Sequence, residues 1–217
     1  MSESVNTRRY DSSRRAERTR DTKRAVIAAA HELFLAHGFV DTTVDAISAA
    51  SGVPVATVYR LFKTKTAILK EVIDTAVVGD DLPVPLGDRA VVKTAQKADD
   101  PATMTAAFAH VARQVFDNTA ALRLVLRVAA AVDVEAAVLQ DSIEEQRRVG
   151  QGRVARALAD KGFLAPNLKV GDARDIVYAL MSIDTYRILR LEQGWTGTRY
   201  ERWLANALYQ LLVVPGV

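Results

Sequence analysis

Apolar residues recur at three- and four-residue spacings along most of this chain, which is the pattern of amphipathic helices. The pattern predicts helices at about 18–37, 43–50, 55–62, 65–79, 101–117, 120–132, 135–161, 171–192 and 198–213. Residues 80–100 contain Pro83, Pro85 and Gly87 and are predicted to form a loop, with a helical turn near 89–96. No alternating strand pattern stands out, so the predicted fold is all-α with about nine helices.

Residues 42–65 are predicted to hold two short helices joined by a tight turn. The segment Ser51-Gly52-Val53-Pro54 interrupts the apolar pattern. Gly52 can adopt the left-handed conformation that closes a helix, and Pro54 has the fixed φ that suits the first turn of the next helix. Thr42 is the predicted N-cap of the first helix, and Asp45 follows three residues later as a capping box requires.

The second of these helices, residues 55–62, is predicted to bury Val58 and Phe62, which are four residues apart. The residues that this leaves mostly outside are Val55, Ala56, Thr57, Tyr59 and Arg60. A short helix that begins with small or hydroxylated side chains and carries an exposed Tyr-Arg pair suits the major groove of DNA. An ordinary helical hairpin is the alternative, because two helices joined at a glycine turn are common.

Basic residues lie close to this helix pair. Lys63 and Lys65 follow the second helix, and a helix N-terminus beside a lysine is a good phosphate site. Thr43 stands at the start of the first helix, where its hydroxyl and the free N–H groups can reach a phosphate. Residues 1–70 hold 12 Lys/Arg and 7 Asp/Glu, a net charge of +5, whereas residues 71–217 hold 17 and 19, a net −2. The basic excess therefore lies with the segment that is predicted to contact DNA.

The order of residues from Phe34 to Leu69 resembles the N-terminal domain of the tetracycline-repressor (TetR) family of bacterial regulators. The matching residues are Phe34, Gly38-Phe39, Thr42-Thr43-Val44, Ile47, Gly52-Val53, Thr57, Tyr59, Phe62, Lys65 and Ile68-Leu69. The chain departs from the family pattern at Pro54, Ala56 and Leu61, where Ser, Gly and an aromatic residue or His are usual. Pro54 removes a cap and a phosphate contact, and Leu61 cannot donate a hydrogen bond to phosphate.

The resemblance implies phosphate contacts from Thr43, Tyr59 and Lys65 and groove contacts from residues around 54–60. The full predicted DNA-binding set is Thr42, Thr43, Pro54, Val55, Ala56, Thr57, Tyr59, Arg60, Lys63 and Lys65. We predict a disordered basic arm at 1–17, a three-helix helix-turn-helix domain at 18–66, and a ligand-binding and dimerisation domain at 67–217. Helix 65–79 links the last two domains. Whether the arm contacts DNA is left open.

The family resemblance implies a dimer formed by the last two helices. Both helices have wider apolar faces than one partner surface needs, although an ordinary core is the alternative. The predicted interface residues are Val177, Met181, Ile188, Trp203, Leu204, Leu208 and Leu211. A two-fold dimer places two recognition helices about one helical turn of DNA apart, which suits a palindromic operator.

A small-molecule pocket is expected between the helices of residues 101–190, because bundles often bind ligands between their helices. The candidates are polar residues within apolar helices: His110, Arg123, Arg127, Gln146, Tyr178 and Asp184. Asp184 falls on an apolar stripe, so a salt bridge to an arginine or a hydrogen bond across the dimer are alternatives to a ligand contact.

The sequence argues against an enzyme and against a cofactor. It has no Cys and three widely placed His, so neither a thiolate metal site nor a catalytic Ser/His/Asp arrangement can be argued. It has no run of 18 apolar residues, and zero Cys fits a reducing cytosol, so a cytoplasmic location without membrane contact is expected. The predicted function is a regulator, most simply a repressor, that a small molecule releases from double-stranded DNA. The alternative is a ligand-binding or scaffold protein whose helix-turn-helix no longer binds DNA.

Overall fold

The computed structural model describes residues 4–79 and 86–213, and of residues 4–13 the backbone alone. The described residues form helices and no β-strand, as the apolar spacing predicts. The helices are α1 (Ser4–Asp41), α2 (Val44–Ser51), α3 (Val55–Phe62), α4 (Lys65–Val78), α5 (Ala90–Gln96), α6 (Pro101–Ala130), α7 (Val134–Asp160), α8 (Val170–Leu180), α9 (Ile183–Tyr186) and α10 (Gly197–Leu212). A 3-10 turn at Leu86–Asp88 precedes α5, and a π-helical stretch at Arg187–Glu192 continues α9.

The N-terminal arm differs from the prediction. Helix α1 begins at Ser4, whereas residues 1–17 are predicted to be disordered; residues 1–3 lie outside the described residues. Once a helix has a packed nucleus, each added residue costs little, and Arg, Glu and Ala are good helix formers. Disorder was predicted because the arm lacks apolar periodicity. A helix that extends from a packed segment can continue without that periodicity.

A first core joins α1 to α4. From α1 it takes Val26, Ala30 and Phe34, which are four residues apart and fully buried. Phe39 stacks near Phe34, with ring centroids 6.0 Å apart. The other helices of this part contribute the buried residues Val44, Ile47, Val53, Val58, Phe62, Ile68, Leu69, Val72 and Ile73. These contacts fix α3 against α2 and α4, so the orientation of the proposed reading helix is set by the core.

Helix α1 is interrupted by a kink at Gly38, whose φ of 75° and ψ of −178° form a backbone conformation essentially restricted to glycine. Thr42 lies just beyond, 1% exposed, and its hydroxyl donates to the carbonyl oxygens of Gly38 at 2.7 Å and Leu33 at 3.2 Å. The predicted cap at Thr42 is therefore wrong. Thr43 is the N-cap of α2, and its hydroxyl accepts from the N–H of Ala46 at 3.0 Å, so Asp45 is not at the capping-box position.

Helix α6 is one continuous helix of 30 residues, although the sequence predicts two helices that end and begin near 117–120. Thr119 does not cap a new helix there, because its hydroxyl donates back to the carbonyl oxygen of Val115 at 2.7 Å. The length of α6 lets it serve two cores. Leu122, Leu126 and Ala129 near its end belong to the first core.

A second core surrounds the earlier part of α6. Its largest buried members include Met104, Phe108, Phe116, Leu158, Val177, Tyr186, Tyr200, Leu204 and Leu208. The helix that is predicted at 171–192 is interrupted at Met181, whose ψ of 49° leaves the helical region. Ser182 then caps α9 by accepting from the N–H of Thr185 at 3.1 Å. The predicted helix 89–96 is present as α5, but the predicted loop at 80–85 lies outside the described residues.

Candidate DNA-binding surface and polar cleft

The turn between α2 and α3 is held by hydrogen bonds within residues 48–58. Ser48 donates its hydroxyl to the carbonyl oxygen of Val53 at 2.6 Å, and Gly52 has the expected left-handed conformation with φ 68° and ψ 10°. Pro54 is the N-cap of α3, and its carbonyl oxygen accepts from the N–H groups of Thr57 and Val58 at 2.8 and 3.0 Å. Pro54 therefore starts the helix through its backbone, without a side-chain cap.

One face of α3 points outward. Ala56, Tyr59, Arg60 and Lys63 are all exposed and follow the spacing i, i+3, i+4 and i+7, which puts them on one side of a helix. We call these four residues the α3 face. Val58 and Phe62 lie on the opposite side in the first core. The exposed fraction of Tyr59 is 48%, so its ring and hydroxyl are available to a partner.

The other predicted members of the DNA-binding set take different positions. Pro54 is exposed just before the α3 face, and Thr57 is half-buried at its edge. Val55 is half-buried and packs against the first core, so it is not the open groove residue that the sequence predicts. Thr43 is exposed at the N-terminus of α2, while Thr42 is buried and holds the end of α1, which is a correction to the predicted set.

Lys65 has a structural partner that the sequence does not reveal. Its ammonium group donates to the carbonyl oxygens of Phe39 at 2.6 Å and Thr42 at 2.9 Å and lies 4.2 Å from the centroid of the Phe39 ring. Partial burial lowers the pKa of Lys65, and Asp133 and Asp41 oppose that shift. The ammonium therefore closes the C-terminal end of α1, and in this arrangement it is not free to contact phosphate as predicted.

A polar cleft of about 390 Å³ lies where α6, α7, α8 and α9 meet. Four of the six residues predicted from the sequence to form a pocket line it: Arg123, Arg127, Tyr178 and Asp184. The remaining lining residues are Leu126, Gln140, Glu144, Arg147, Ala179, Ser182 and Ile183. The cleft exists because the chain breaks between α8 and α9 at Met181, which separates Tyr178 from Asp184 along the wall.

Two predicted pocket residues are not among those that line this cleft. His110 lies nearer the N-terminal end of α6, where its Nδ1 is 3.0 Å from Oε1 of Glu201. Gln146 is exposed on the outer side of α7. The two residues were selected by their apolar neighbours in sequence, and that pattern does not show which side of a helix faces another helix.

Glu144 is the centre of a hydrogen-bond network that the sequence analysis missed. Its carboxylate accepts from the Arg123 guanidinium, from Nε of Arg147 at 2.8 Å and from the hydroxyl of Tyr178 at 2.9 Å. Burial raises the pKa of Glu144, but the hydrogen bonds and charges of Arg147 and Arg123 together outweigh it and hold that pKa below its ordinary value.

The same network also supports the break in α8. Arg147 donates to the carbonyl oxygens of Tyr178 at 2.9 Å and Met181 at 3.1 Å, and the buried Gln151 donates to the Met181 carbonyl at 2.6 Å. These carbonyls lost their helical partners where α8 ends, so the side chains of α7 satisfy them. Gln151 shares the spacing of Val154, Ala155 and Leu158, which is the signal that marks it as inward-facing.

We expect Glu144→Gln to lower the free energy of unfolding by about 2–3 kcal/mol at neutral pH, because Arg123 and Arg147 lose their shared carboxylate. Since the folded state holds the pKa of Glu144 below its ordinary 4.5, this stabilisation is present above pH 4.5 and is lost as the pH falls through the folded value. Urea unfolding at pH 7 and at about pH 3 should show the two proteins converging in acid. Glu145→Gln is the control, because Glu145 is exposed and pairs with the exposed Arg148. A difference that persists in acid would contradict the prediction.

Most of the predicted dimer residues are core residues of the single chain. Val177, Leu204 and Leu208 are fully buried in the second core, and Met181 is 8% exposed beside them. Trp203 is half-buried, and its ring lies 6.0 Å from that of Tyr200. Ile188 and Leu211 are exposed, at 43% and 51%. The breadth of the two apolar stripes was thus mostly due to α7 covering one side of α8 and α6 covering one side of α10.

Over residues 4–79 and 86–213, no group of three or more His, Cys, Asp or Glu side chains is placed to hold a metal ion. None of the helices described is both long and apolar enough to cross a membrane.

Comparison with known proteins supports the fold and the first domain. Residues 26–72 match the family model of bacterial regulatory proteins of the tetR family. A search of curated proteins finds none that matches the chain. A putative TetR-family transcriptional regulator from Mesorhizobium loti MAFF303099 superposes with a TM-score of 0.66 at 16% identity, over 91% of this chain and 99% of the other.

Two further structures show the same fold. The SmeT–triclosan complex gives a TM-score of 0.69 at 18% identity, with 90% of this chain and 96% of the other covered. NalD from Pseudomonas aeruginosa, described as the secondary repressor of the MexAB-OprM multidrug efflux pump, gives 0.65 at 18% identity, with 90% and 98% covered. At these identities the likeness establishes the all-α architecture and carries no ligand or operator to this chain.

Proposed function

We propose that the chain is a ligand-responsive repressor, and the match of residues 26–72 to the family model of bacterial regulatory proteins of the tetR family supports this. It would bind a palindromic operator as a homodimer and leave it when a small molecule occupies the polar cleft. The observation that carries the proposal is the α3 face: Tyr59 and Arg60 are exposed on α3 and Lys63 is exposed just after it, while the other side of α3 is fixed in the first core.

The DNA contact combines two helix ends and one helix face. The α3 face offers Arg60 and Lys63 for phosphates and Tyr59 for a phosphate or a base edge. Thr43 is exposed at the N-terminus of α2, where free N–H groups favour an anion. One such helix reads only a few base pairs, so two copies related by a two-fold axis are needed for a long enough site.

The apolar residues that remain exposed near the C-terminus support a dimer. Ile188, Leu191 and Leu211 are between 43% and 55% exposed in the single chain, and half-buried Trp203 lies on α10 with Leu211. A second copy of this chain that packs on α10 and the π-helical stretch would bury them. The proposed interface is therefore narrower than the one predicted from the sequence.

The route from ligand to DNA is proposed to run through α6. Residues 122–129 of α6 contact both parts of the molecule: Leu122 and Leu126 lie in the first core, while Arg123, Leu126 and Arg127 line the polar cleft. Helix α4 packs on this end of α6, and its cap Thr64 donates to Oε1 of Glu135 on α7 at 2.8 Å. A ligand that moves this end of α6 would move α4 and change the distance between the two reading helices, provided that it binds the two states with different affinity.

The test is binding to the DNA upstream of the chain's own gene. We expect nanomolar to micromolar affinity that exceeds the affinity for a shuffled duplex of equal length and falls steeply between about 50 and 200 mM salt. Fluorescence anisotropy with both duplexes at both salt concentrations measures this. Equal and weak binding to both duplexes would contradict the proposal and favour a ligand-binding or scaffold protein that does not use its helix-turn-helix.

A further inference from the structure

The polar cleft holds more positive than negative charge. Three guanidinium groups line it, from Arg123, Arg127 and Arg147, against two carboxylates, from Glu144 and Asp184. Arg123 and Arg147 are little exposed, at 11% and 13% of their side chains. Cations that are withdrawn from water need anionic partners, so a surplus of one positive charge at this place is unfavourable in the empty cleft.

Both carboxylates of the cleft are already occupied. Glu144 accepts hydrogen bonds from two guanidinium groups and one phenol hydroxyl. Asp184 accepts two hydrogen bonds from Arg127, at 2.8 and 3.1 Å. A ligand cation would have to displace an arginine to reach either carboxylate, so the unfilled hydrogen-bonding capacity of the cleft lies with its donors.

Of the three arginines that line the cleft, Arg123 makes the fewest hydrogen bonds within the protein. Among the described residues its guanidinium makes a hydrogen bond to Glu144 alone, although an arginine has five N–H donors. Burial lowers the pKa of Arg123, and the charges of Arg147 and Arg127 add to that effect. Arg127 lies one helical turn further along the same face of α6, so the two guanidinium groups can serve one small acceptor.

We propose that the polar cleft binds a small organic carboxylate between Arg123 and Arg127, with its apolar part against Leu126, Ile183 and Ala179. A carboxylate matches the planar donor fork of arginine and would remove the charge surplus. The cleft volume of about 390 Å³ lies at the small end of ligand pockets, which favours a compact acid. The role of this acid as effector rests on the regulator proposed above, whereas its binding does not.

Asp184 is the group that the ligand replaces. Its side chain is 54% exposed, and Nε of Arg187 lies 3.9 Å from its Oδ1. Arg187 can therefore pair with Asp184 when Arg127 binds the ligand. The exchange moves Asp184 at the start of α9 while leaving each carboxylate paired. Asp184 therefore competes with the ligand for Arg127, so removing the charge of Asp184 should strengthen ligand binding.

Isothermal titration calorimetry of the full chain tests the inference with butyrate, hexanoate, octanoate and benzoate, each beside its primary amide. At least one acid should bind at one site per chain and at least about tenfold more tightly than its amide, because the amide lacks the charge. Arg127→Gln should weaken that acid by about tenfold or more, and Asp184→Asn should strengthen it several-fold. Arg174→Gln is the matched control, since Arg174 is exposed, pairs with Asp175 and lies outside the cleft.

Three results would overturn the inference: no acid of the set binding at about 10 mM, an amide that binds as well as its acid, or unchanged affinity in Arg127→Gln. Should Arg127→Gln unfold, Asp184→Asn decides alone, because weaker or equal acid binding in that variant contradicts the competition. Operator affinity measured in the same samples separates the two proposals. If an acid binds without changing operator affinity, the effector role is contradicted and carboxylate binding stands. If the chain binds the acid but does not bind DNA, the proposed regulator is contradicted and carboxylate binding again stands.

Discussion

Replacing both Arg60 and Lys63 by alanine is expected to lower the affinity of the chain for DNA of any sequence by about 100-fold. Both side chains are exposed on the α3 face, and neither belongs to a core, so the change removes charge without disturbing the fold. Each lost phosphate contact reduces the dependence of the logarithm of affinity on the logarithm of salt by about one unit. Because the proposed homodimer loses two contacts from each of its copies, the double variant should show a slope that is smaller by about four units.

The control for this variant removes the same charge elsewhere. Lys70 on α4 and Lys93 on α5 are exposed and lie outside the α3 face. Lys70→Ala with Lys93→Ala lowers the net charge equally, so long-range steering by the whole protein falls by a similar amount in both variants. Equal losses in the two double variants would show that α3 has no special role in DNA binding, and the proposed orientation on DNA would have to be abandoned.

Sequence preference should depend on different residues from overall affinity. Tyr59→Phe keeps the ring and removes the hydroxyl, so it separates a phosphate hydrogen bond from packing against the groove. Thr57 lies half-buried at the edge of the α3 face, where Thr57→Val keeps its shape and removes one hydrogen-bonding group. Lost contacts to a base edge change the ranking of operator variants, whereas lost contacts to phosphate lower all of them alike.

The helix-turn-helix could be predicted closely because its boundaries depend on local chemistry. Helices predicted at 43–50 and 55–62 are found at Val44–Ser51 and Val55–Phe62. Gly52 supplies the left-handed residue that ends α2, and Pro54 permits α3 to start, and both effects act within the turn itself. Neighbouring helices were not needed to place these ends.

The choice between Thr42 and Thr43 shows where local chemistry is insufficient. Both residues are able to cap a helix, and the capping-box spacing favours Thr42. The turn at Gly38 decides otherwise, because it brings Thr42 against the carbonyl oxygens of Leu33 and Gly38 and buries it. A shift of one residue moved a predicted DNA contact into the interior.

The C-terminal part depended more strongly on contacts between distant segments. Val177, Leu204 and Leu208 are as apolar as interface residues need to be, and a single sequence gives the width of an apolar face without naming the helix that covers it. Glu144 and Arg147 are three residues apart, which is the usual spacing of a solvated ion pair. That pair instead contacts Arg123 of α6 and the end of α8 at Met181, and the sequence near residue 144 gives no sign that α8 ends there.

Lys65→Met is expected to lower the free energy of unfolding by about 2 kcal/mol, the magnitude of hydrogen bonds to a charged group. The ammonium of Lys65 donates to the carbonyl oxygens of Phe39 and Thr42 at the end of α1, and methionine keeps the apolar stem while removing these donors. The carbonyl oxygens of Phe39 and Thr42 then lack their hydrogen-bond donor, close to the kink at Gly38. Urea unfolding followed by circular dichroism measures the loss, and Lys70→Met is the control, because Lys70 is exposed on the same helix and pairs with Asp74.

This variant separates two roles that one lysine is able to play. If Lys65 holds the end of α1, operator affinity falls together with stability, and the salt dependence of the remaining binding keeps its slope. If Lys65 instead leaves the carbonyls to contact phosphate, as the family resemblance implies, stability stays near that of the wild type and the slope falls by about two units, one from each copy of the proposed homodimer. The contacts of the ammonium with the carbonyls of Phe39, Val40 and Thr42 and with the Phe39 ring favour the first result, because a phosphate would have to replace all four at once.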